Sequence, residues 1–209
     1  RIFLRGSVPA KLEDFQVMGA VPDPAMFTAT ELARQLREAG VEIGRAPDTR
    51  PFGGGGYKTS LLFSHKSPPL VEIVQHLNEV SDNHEAECLY RLLGVREGQP
   101  ADEVIRKHWL PRGLDLSDCR MVGGSGLSRA NFISAIDLTR LQHLARRGAQ
   151  GEIYYQSLNG YFDGALRWKG GAMSSIRSYT GYVSAKSGRE YTFSMMFNHY
   201  LDGDAVSGW

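Results

Sequence analysis

Ser81-Asp82-Asn83-His84-Glu85-Ala86-Glu87-Cys88-Leu89 closes one helical stretch and opens another, and the reading of its first three residues decides the fold. Ser, Asp and Asn all favour helix N-caps, so the triplet alone reads equally well as a polar corner between two helices. Two later stretches add weight. Gly124-Ser125-Gly126-Leu127-Ser128-Arg129 comes about forty residues later, and Lys169-Gly170-Gly171 about forty after that, opening an apolar, strand-like run.

Size and charge narrow the classes. The chain has 209 residues and a formal net charge of +1, enough for one good core or a core plus a smaller lobe. That charge, with no long basic cluster, argues against a nucleic-acid partner. Arg146-Arg147 reads as the solvated, dipole-complementing end of a helix. No stretch approaches the apolar length of a membrane span. Arg1 opens directly on Ile2-Phe3-Leu4, which looks like a strand in mid-protein, so a fragment or processed chain is expected. Cys88 and Cys119 form no metal or redox motif, and Cys88 is expected as a buried free thiol. His65, His76, His84, His108, His143 and His199 show no zinc-ligand spacing, so no metal and no cofactor is expected.

Along the chain, Ile2 to Leu4 and Phe15 to Val21 read as strands. Pro24 begins a helix with Phe27, Leu32 and Leu36 on one face, ended by Gly40. Val41 to Ile43 and Ser60 to Ser64 read as further short strands, around a Pro- and Gly-rich loop from Pro47 to Gly56. That loop lacks the Gly-Lys-Ser/Thr ending of a phosphate cradle. A helix after Pro69 carries Leu70, Val71, Val74 and Leu77, and the next carries Ala86, Leu89, Tyr90 and Leu93 and stops at Gly94. Ala101 to Trp109 is a third, Cys119 to Val122 a short strand, and Ser134 to Leu144 a helix. Ala172 to Val183 and Glu190 to Asn198 form a hairpin around Gly188. Central helices followed by an antiparallel pair give an α+β fold with helices packed on an antiparallel sheet. The expected division is 1–56, part of a smaller inserted lobe, and 57–209.

With these elements in place, the chain resembles the class C low-molecular-mass penicillin-binding proteins, the D-alanyl-D-alanine carboxypeptidase/endopeptidase family, in their C-terminal portion. The matching stretches are Asp23-Pro24 to Val41, Ser67 to Leu77, Ser81 to Glu87, Gly124 to Asn131 and Lys169 to Val183. Gly-Ser-Gly-Leu-Ser-Arg is the most family-specific of them. A Ser-x-Asn element followed by a Lys-x-Gly strand supplies two of the three active-site elements of penicillin-binding enzymes and β-lactamases. The resemblance implies a β-lactamase/transpeptidase-like domain, of which 57–209 is the C-terminal portion. It also implies acyl transfer on the D-Ala-D-Ala stem peptides of peptidoglycan, β-lactams as covalent ligands, and a periplasmic or other extracytoplasmic location, with possible membrane association.

The site residues are implied by the same resemblance. Ser81 would relay a proton toward the leaving nitrogen, Asn83 would hold the substrate amide, and Lys169 would support its anionic terminus. Gly170, Gly171 and Ala172 would pair with the substrate backbone, Met173 would line the side-chain pocket, and Ser125 and Leu127 would border the site, with Ser125 and Ser128 steadying their turn. Three departures stand out. No Ser-x-x-Lys nucleophile motif occurs in the 209 residues, so this stretch alone is expected to be inactive. The usual Thr after the motif lysine is Gly170, a loss of roughly 1–3 kcal/mol of hydrogen bonding to the substrate carboxylate. The usual acid before Gly-Ser-Gly is Gly123. The alternative these changes raise is a non-catalytic, peptidoglycan-binding or scaffold relative; a β-lactamase lacks a designated deacylating carboxylate. Oligomeric state is open.

Overall fold

The computed structural model describes residues 19–50, 60–61 and 63–200, and the chain divides into two units, Arg1–Ser64 and His65–Trp209. In the first unit, helix α1 spans Pro24–Glu38. Asp23 caps it by accepting the Met26 N–H at 2.9 Å, and Pro24 fills a position whose N–H would have no partner. Gly40, at φ +83°, ends it, and the Val41 N–H turns back to the Leu36 carbonyl at 2.9 Å. That bond commits the Val41 backbone to the helix end. Val41–Ile43 is therefore not the expected strand, and neither are the described residues of 15–21 and 60–64. The expected strand at residues 2–4 and the glycine run at 53–56 lie outside the described residues.

The second unit begins with α2 (Leu70–Val80) and α3 (Asn83–Glu97), joined by a two-residue corner. α3 runs through Gly94, where a stop was expected, and ends at Gly98 in the left-handed conformation. A Cβ on Gly94 would meet the Gln99 carbonyl at 2.8 Å, so this glycine allows the close corner to α4 (Ala101–Trp109). Cys119–Val122 is not a strand; a single bridge joins Arg120 to Phe132. Leu114, Leu116 and Cys119 form a buried cluster with Ile105, Trp109, Ile133, Leu141 and Leu144. Cys88 is exposed, not buried, because its neighbours Glu87 and Leu89 take the partly buried positions of α3.

α5 (Ala135–Arg147) is capped by Ser134, whose Oγ accepts the Asp137 N–H at 3.0 Å. A tight turn then leads to α6 (Gly151–Ser157), and a Cβ at Gly151 would lie 2.0 Å from the Arg146 carbonyl. Arg146 is no solvated helix end: it pairs with Glu152 at 2.7 Å and Glu190 at 3.2 Å, and its guanidinium lies 4.2 Å from the Tyr155 ring centre.

The sheet is an antiparallel meander of four strands: β1 (Asn159–Tyr161), β2 (Leu166–Met173), β3 (Ile176–Ser184) and β4 (Glu190–Asn198). The β3–β4 hairpin matches the sequence pattern. The expected strand 172–183 is instead two strands, broken at Ser174-Ser175, with Ser175 at φ +59°. Lys169 consequently sits in mid-strand. Tyr182, 1% exposed, anchors α5 to the sheet by donating its hydroxyl to the Gln142 carbonyl at 2.7 Å. Among the described residues, no helix is long and apolar enough to cross a membrane.

Candidate active site

The Ser81-Asp82-Asn83 corner divides its labour. Asp82 is the cap of α3, accepting the Glu85 N–H at 2.8 Å. Ser81 ends α2 in the left-handed conformation, φ +59°, and Asn83 is the first residue of α3. Because Asp82 supplies the cap, neither Ser81 nor Asn83 is spent on it, and both line the cleft. The His76 imidazole on α2 lies 2.9 Å from the Glu85 carboxylate on α3, bracing the corner from outside, and this carboxylate raises the His76 pKa.

Two long-range bonds bring the corner to the sheet. The buried Asn78 amide donates to Ser157 Oγ at 2.8 Å, across 79 residues of chain. Asn159 in β1 reaches the Glu79 carbonyl at 3.4 Å and pairs in register with Trp168. α2 is thereby tied to α6, β1 and β2 in turn, and Ser81 is set beside Lys169. Lys169 Nζ donates to Ser81 Oγ at 2.8 Å and to the Gly170 carbonyl at 2.7 Å. Burial lowers the Lys169 pKa. β1 pairs only with residues 166–168 of β2, which leaves the edge from Lys169 to Met173 facing the cleft.

The Gly-Ser-Gly turn forms the opposite wall. Gly124 lies directly on α3, where a Cβ would meet the Ala86 carbonyl at 2.4 Å and Tyr90 Cβ at 2.5 Å. The Glu87 carboxylate, one helical turn after Asn83, accepts the Gly124 N–H at 2.9 Å. The Arg91 guanidinium and then this N–H hold its pKa below the usual carboxylate range. Gly123, which stands where an acid was expected, makes room for it, since a Cβ there would be 2.8 Å from Glu87 Oε2. Asn131 ties the loop together, accepting from the Val122 N–H at 2.6 Å and donating to the Gly123 carbonyl at 3.2 Å. Ser128 Oγ accepts the Ala130 N–H at 3.2 Å, and Ser125 Oγ faces the Leu127 N–H at 3.4 Å. Arg129 closes the far end with a 3.2 Å bond to the Ser174 carbonyl.

Between the walls is a cleft of about 660 Å³. All the residues expected from sequence line it: Ser81, Asn83, Ser125, Leu127, Lys169, Gly170, Gly171, Ala172 and Met173. Three positioning groups were not singled out from sequence. Glu87 had a readable signal, its i,i+4 spacing from Asn83 on one helix face. Asn78, a polar residue four after Val74 on the apolar face of α2, had one too. Asn131 had none, because its partners are loop backbone atoms.

Chemically, the arrangement sets a hydroxyl and an amide on one side of a cleft, the hydroxyl hydrogen-bonded to a partly buried ammonium on a free strand edge. Such a set can bind an extended peptide along the strand, hold an anion and carry a proton between hydroxyl and ammonium.

The chain belongs to the D-Ala-D-Ala carboxypeptidase 3 (S13) family, whose family model matches residues 1–207. It is 22% identical over 231 residues to a D-alanyl-D-alanine carboxypeptidase, DacB, of Haemophilus influenzae, covering 99% of this chain and 47% of that protein. A carboxypeptidase of Mycobacterium tuberculosis is 27% identical over 202 residues, covering 84% of this chain and 42% of the relative. The chain thus spans less than half the length of these two relatives. Among solved structures, penicillin-binding protein 4 of Haemophilus influenzae superposes with a TM-score of 0.75 at 19% identity, over 90% of this chain and 46% of that one. The same protein complexed with a β-lactam gives 0.74 at 20% identity, over 90% and 48%. These likenesses establish the α+β, penicillin-binding-protein fold.

Proposed function

We propose that this chain supplies the proton-relay and substrate-holding walls of a serine-type D-Ala-D-Ala carboxypeptidase/endopeptidase acting on peptidoglycan stem peptides. The observation that carries this reading is the 2.8 Å bond between Lys169 Nζ and Ser81 Oγ on the rim of the cleft. In the reaction, a serine from a Ser-x-x-Lys segment gives its proton to the lysine of that segment and attacks the D-Ala carbonyl; its oxygen forms the ester while the C–N bond breaks. Ser81 passes a proton to the departing amine, with Lys169 polarising its hydroxyl. Asn83 orients the substrate amide, the edge from Gly170 to Ala172 pairs with its backbone, and Met173, Ser125 and Leu127 border its side chain. Water then releases the acyl group.

Residues 1–56 belong in this reading to a smaller inserted lobe and 57–209 to the catalytic domain. β-lactams are covalent ligands of the same serine, and the protein acts outside the cytoplasm, in the periplasm where the cell has one. Relatives that are carboxypeptidases of the same family support the reaction class. The test is covalent labelling of the natural protein containing this chain by a fluorescent penicillin. Folded protein that takes up label competed by D-Ala-D-Ala peptide supports the proposal, and folded protein that stays unlabelled refutes it.

A further inference from the structure

Side chains alternate along a strand, so residues 168 and 170 of β2 share one face. Gly170 stands opposite Tyr179 in register, and the Trp168 ring lies along the strand into the space between them. A Cβ on Gly170 would be 2.6 Å from Trp168 Cζ3 and 3.4 Å from Cε3. The ring is held on two sides, edge-on to Tyr179 at 4.7 Å between centres and tilted on Tyr161 at 5.3 Å. It cannot simply swing aside without breaking both contacts. Trp168 also borders a second cavity of about 400 Å³, which shares Ser81, Lys169 and Gly170 with the main cleft.

Position 170 therefore adds no side chain to the wall beside Lys169. An ammonium has three N–H donors; two of those on Lys169 are taken by Ser81 and the Gly170 carbonyl, leaving one to face an anion. The geometry points to Trp168 as a specificity-determining positioning residue. Its indole occupies the space a side chain at 170 needs, so the carboxylate end of a peptide is held by the Lys169 ammonium and strand backbone without a hydroxyl from 170. This inference rests on the acyl-transfer reading for its substrate, but the exclusion itself is steric.

The experiment compares Gly170→Ala, Gly170→Thr, Trp168→Leu and Trp168→Leu/Gly170→Thr in the natural protein containing this chain. The readouts are penicillin acylation rate, melting temperature, and cleavage of a D-Ala-D-Ala peptide with a free or an amidated terminus. Gly170→Ala and Gly170→Thr alone are expected to slow acylation about tenfold or more, whatever a hydroxyl could add. In the double variant the hydroxyl fits. Acylation then returns to the wild-type rate or above, and preference for the free carboxylate rises about tenfold, the worth of one charge-assisted hydrogen bond. A purely structural Trp168 would move both peptides alike. Faster acylation in Gly170→Thr alone, or a double variant no better than that single, overturns the inference. Wild-type protein that folds without taking label refutes the acyl-transfer reading, a result distinct from labelled variants that lack rescue. The exclusion is then decided by melting temperature, where Trp168→Leu must raise that of Gly170→Thr.

Discussion

Lys169 Nζ and Ser81 Oγ meet at 2.8 Å although 88 positions separate them in the chain. No local element makes this contact. It depends on the αL conformation of Ser81, on the Asn78–Ser157 bond and on the pairing of β1 with β2. Both partners are consequently sensitive probes of the proposed reaction.

Ser81→Ala should lower the rate of penicillin acylation by about 10²–10⁴-fold, the range for a proton-transferring group. Lys169→Met should lower it by about 10²–10³-fold by removing a preorganised cation. Melting temperature should change little in either, because the Asp82 cap is untouched. Stopped-flow labelling with a fluorescent penicillin measures both effects.

Burial lowers the Lys169 pKa, and a lysine is cationic only below its pKa. Peptide binding should therefore weaken as pH rises through that lowered value, short of the ordinary lysine pKa of about 10.4. A pH profile of KM for a peptide with a free carboxylate, set beside its amide, isolates this limb. If the limb persists in Lys169→Met, another group is responsible.

The His76–Glu85 pair raises the His76 pKa, with Asp82 and Glu79 adding to the effect. A group whose native pKa is raised stabilises the fold fully below its unfolded value, about 6.5, and loses that contribution as pH rises through the native value. His76→Gln should flatten the change in melting temperature as pH rises from about 6.5 through the raised native value. An NMR titration of the imidazole reads the same shift directly.

Glu87 has the opposite sign. Its depressed pKa means that its stabilisation is present above the unfolded carboxylate value and disappears as pH falls through the native one. Glu87→Ala should remove that acid-side dependence and loosen the Gly-Ser-Gly wall, seen as faster amide exchange at Gly124. Gly124→Ala drives a Cβ into the Ala86 carbonyl and should destabilise by about 1–3 kcal/mol, measurable by urea unfolding.

Much of this architecture was legible in the chain. Helix boundaries at Pro24, Leu70 and Ala101 were readable because the Asp23 cap, prolines at helix starts and 3.6-residue periodicity are local signals. The β3–β4 hairpin was readable for the same reason, from alternation around Gly188. Short elements were not: Val41–Ile43 has strand-forming residues but spends its first N–H on a helix end, while α6 and β1 are too brief to show a period. Gly94 reads as a stop and serves instead as a contact, which only the packing of α4 reveals.

Motif identity and spacing are properties of the chain, and they were enough to give the family resemblance, the order of the site elements and nine of the residues that line the cleft. Tertiary structure alone decided which member of Ser81-Asp82-Asn83 caps the helix, which hydroxyl Lys169 meets, and what fills the space beside Gly170. Those are distances between residues remote in sequence, fixed by the buried Asn78–Ser157 bond and the strand register, and no local pattern encodes a distance.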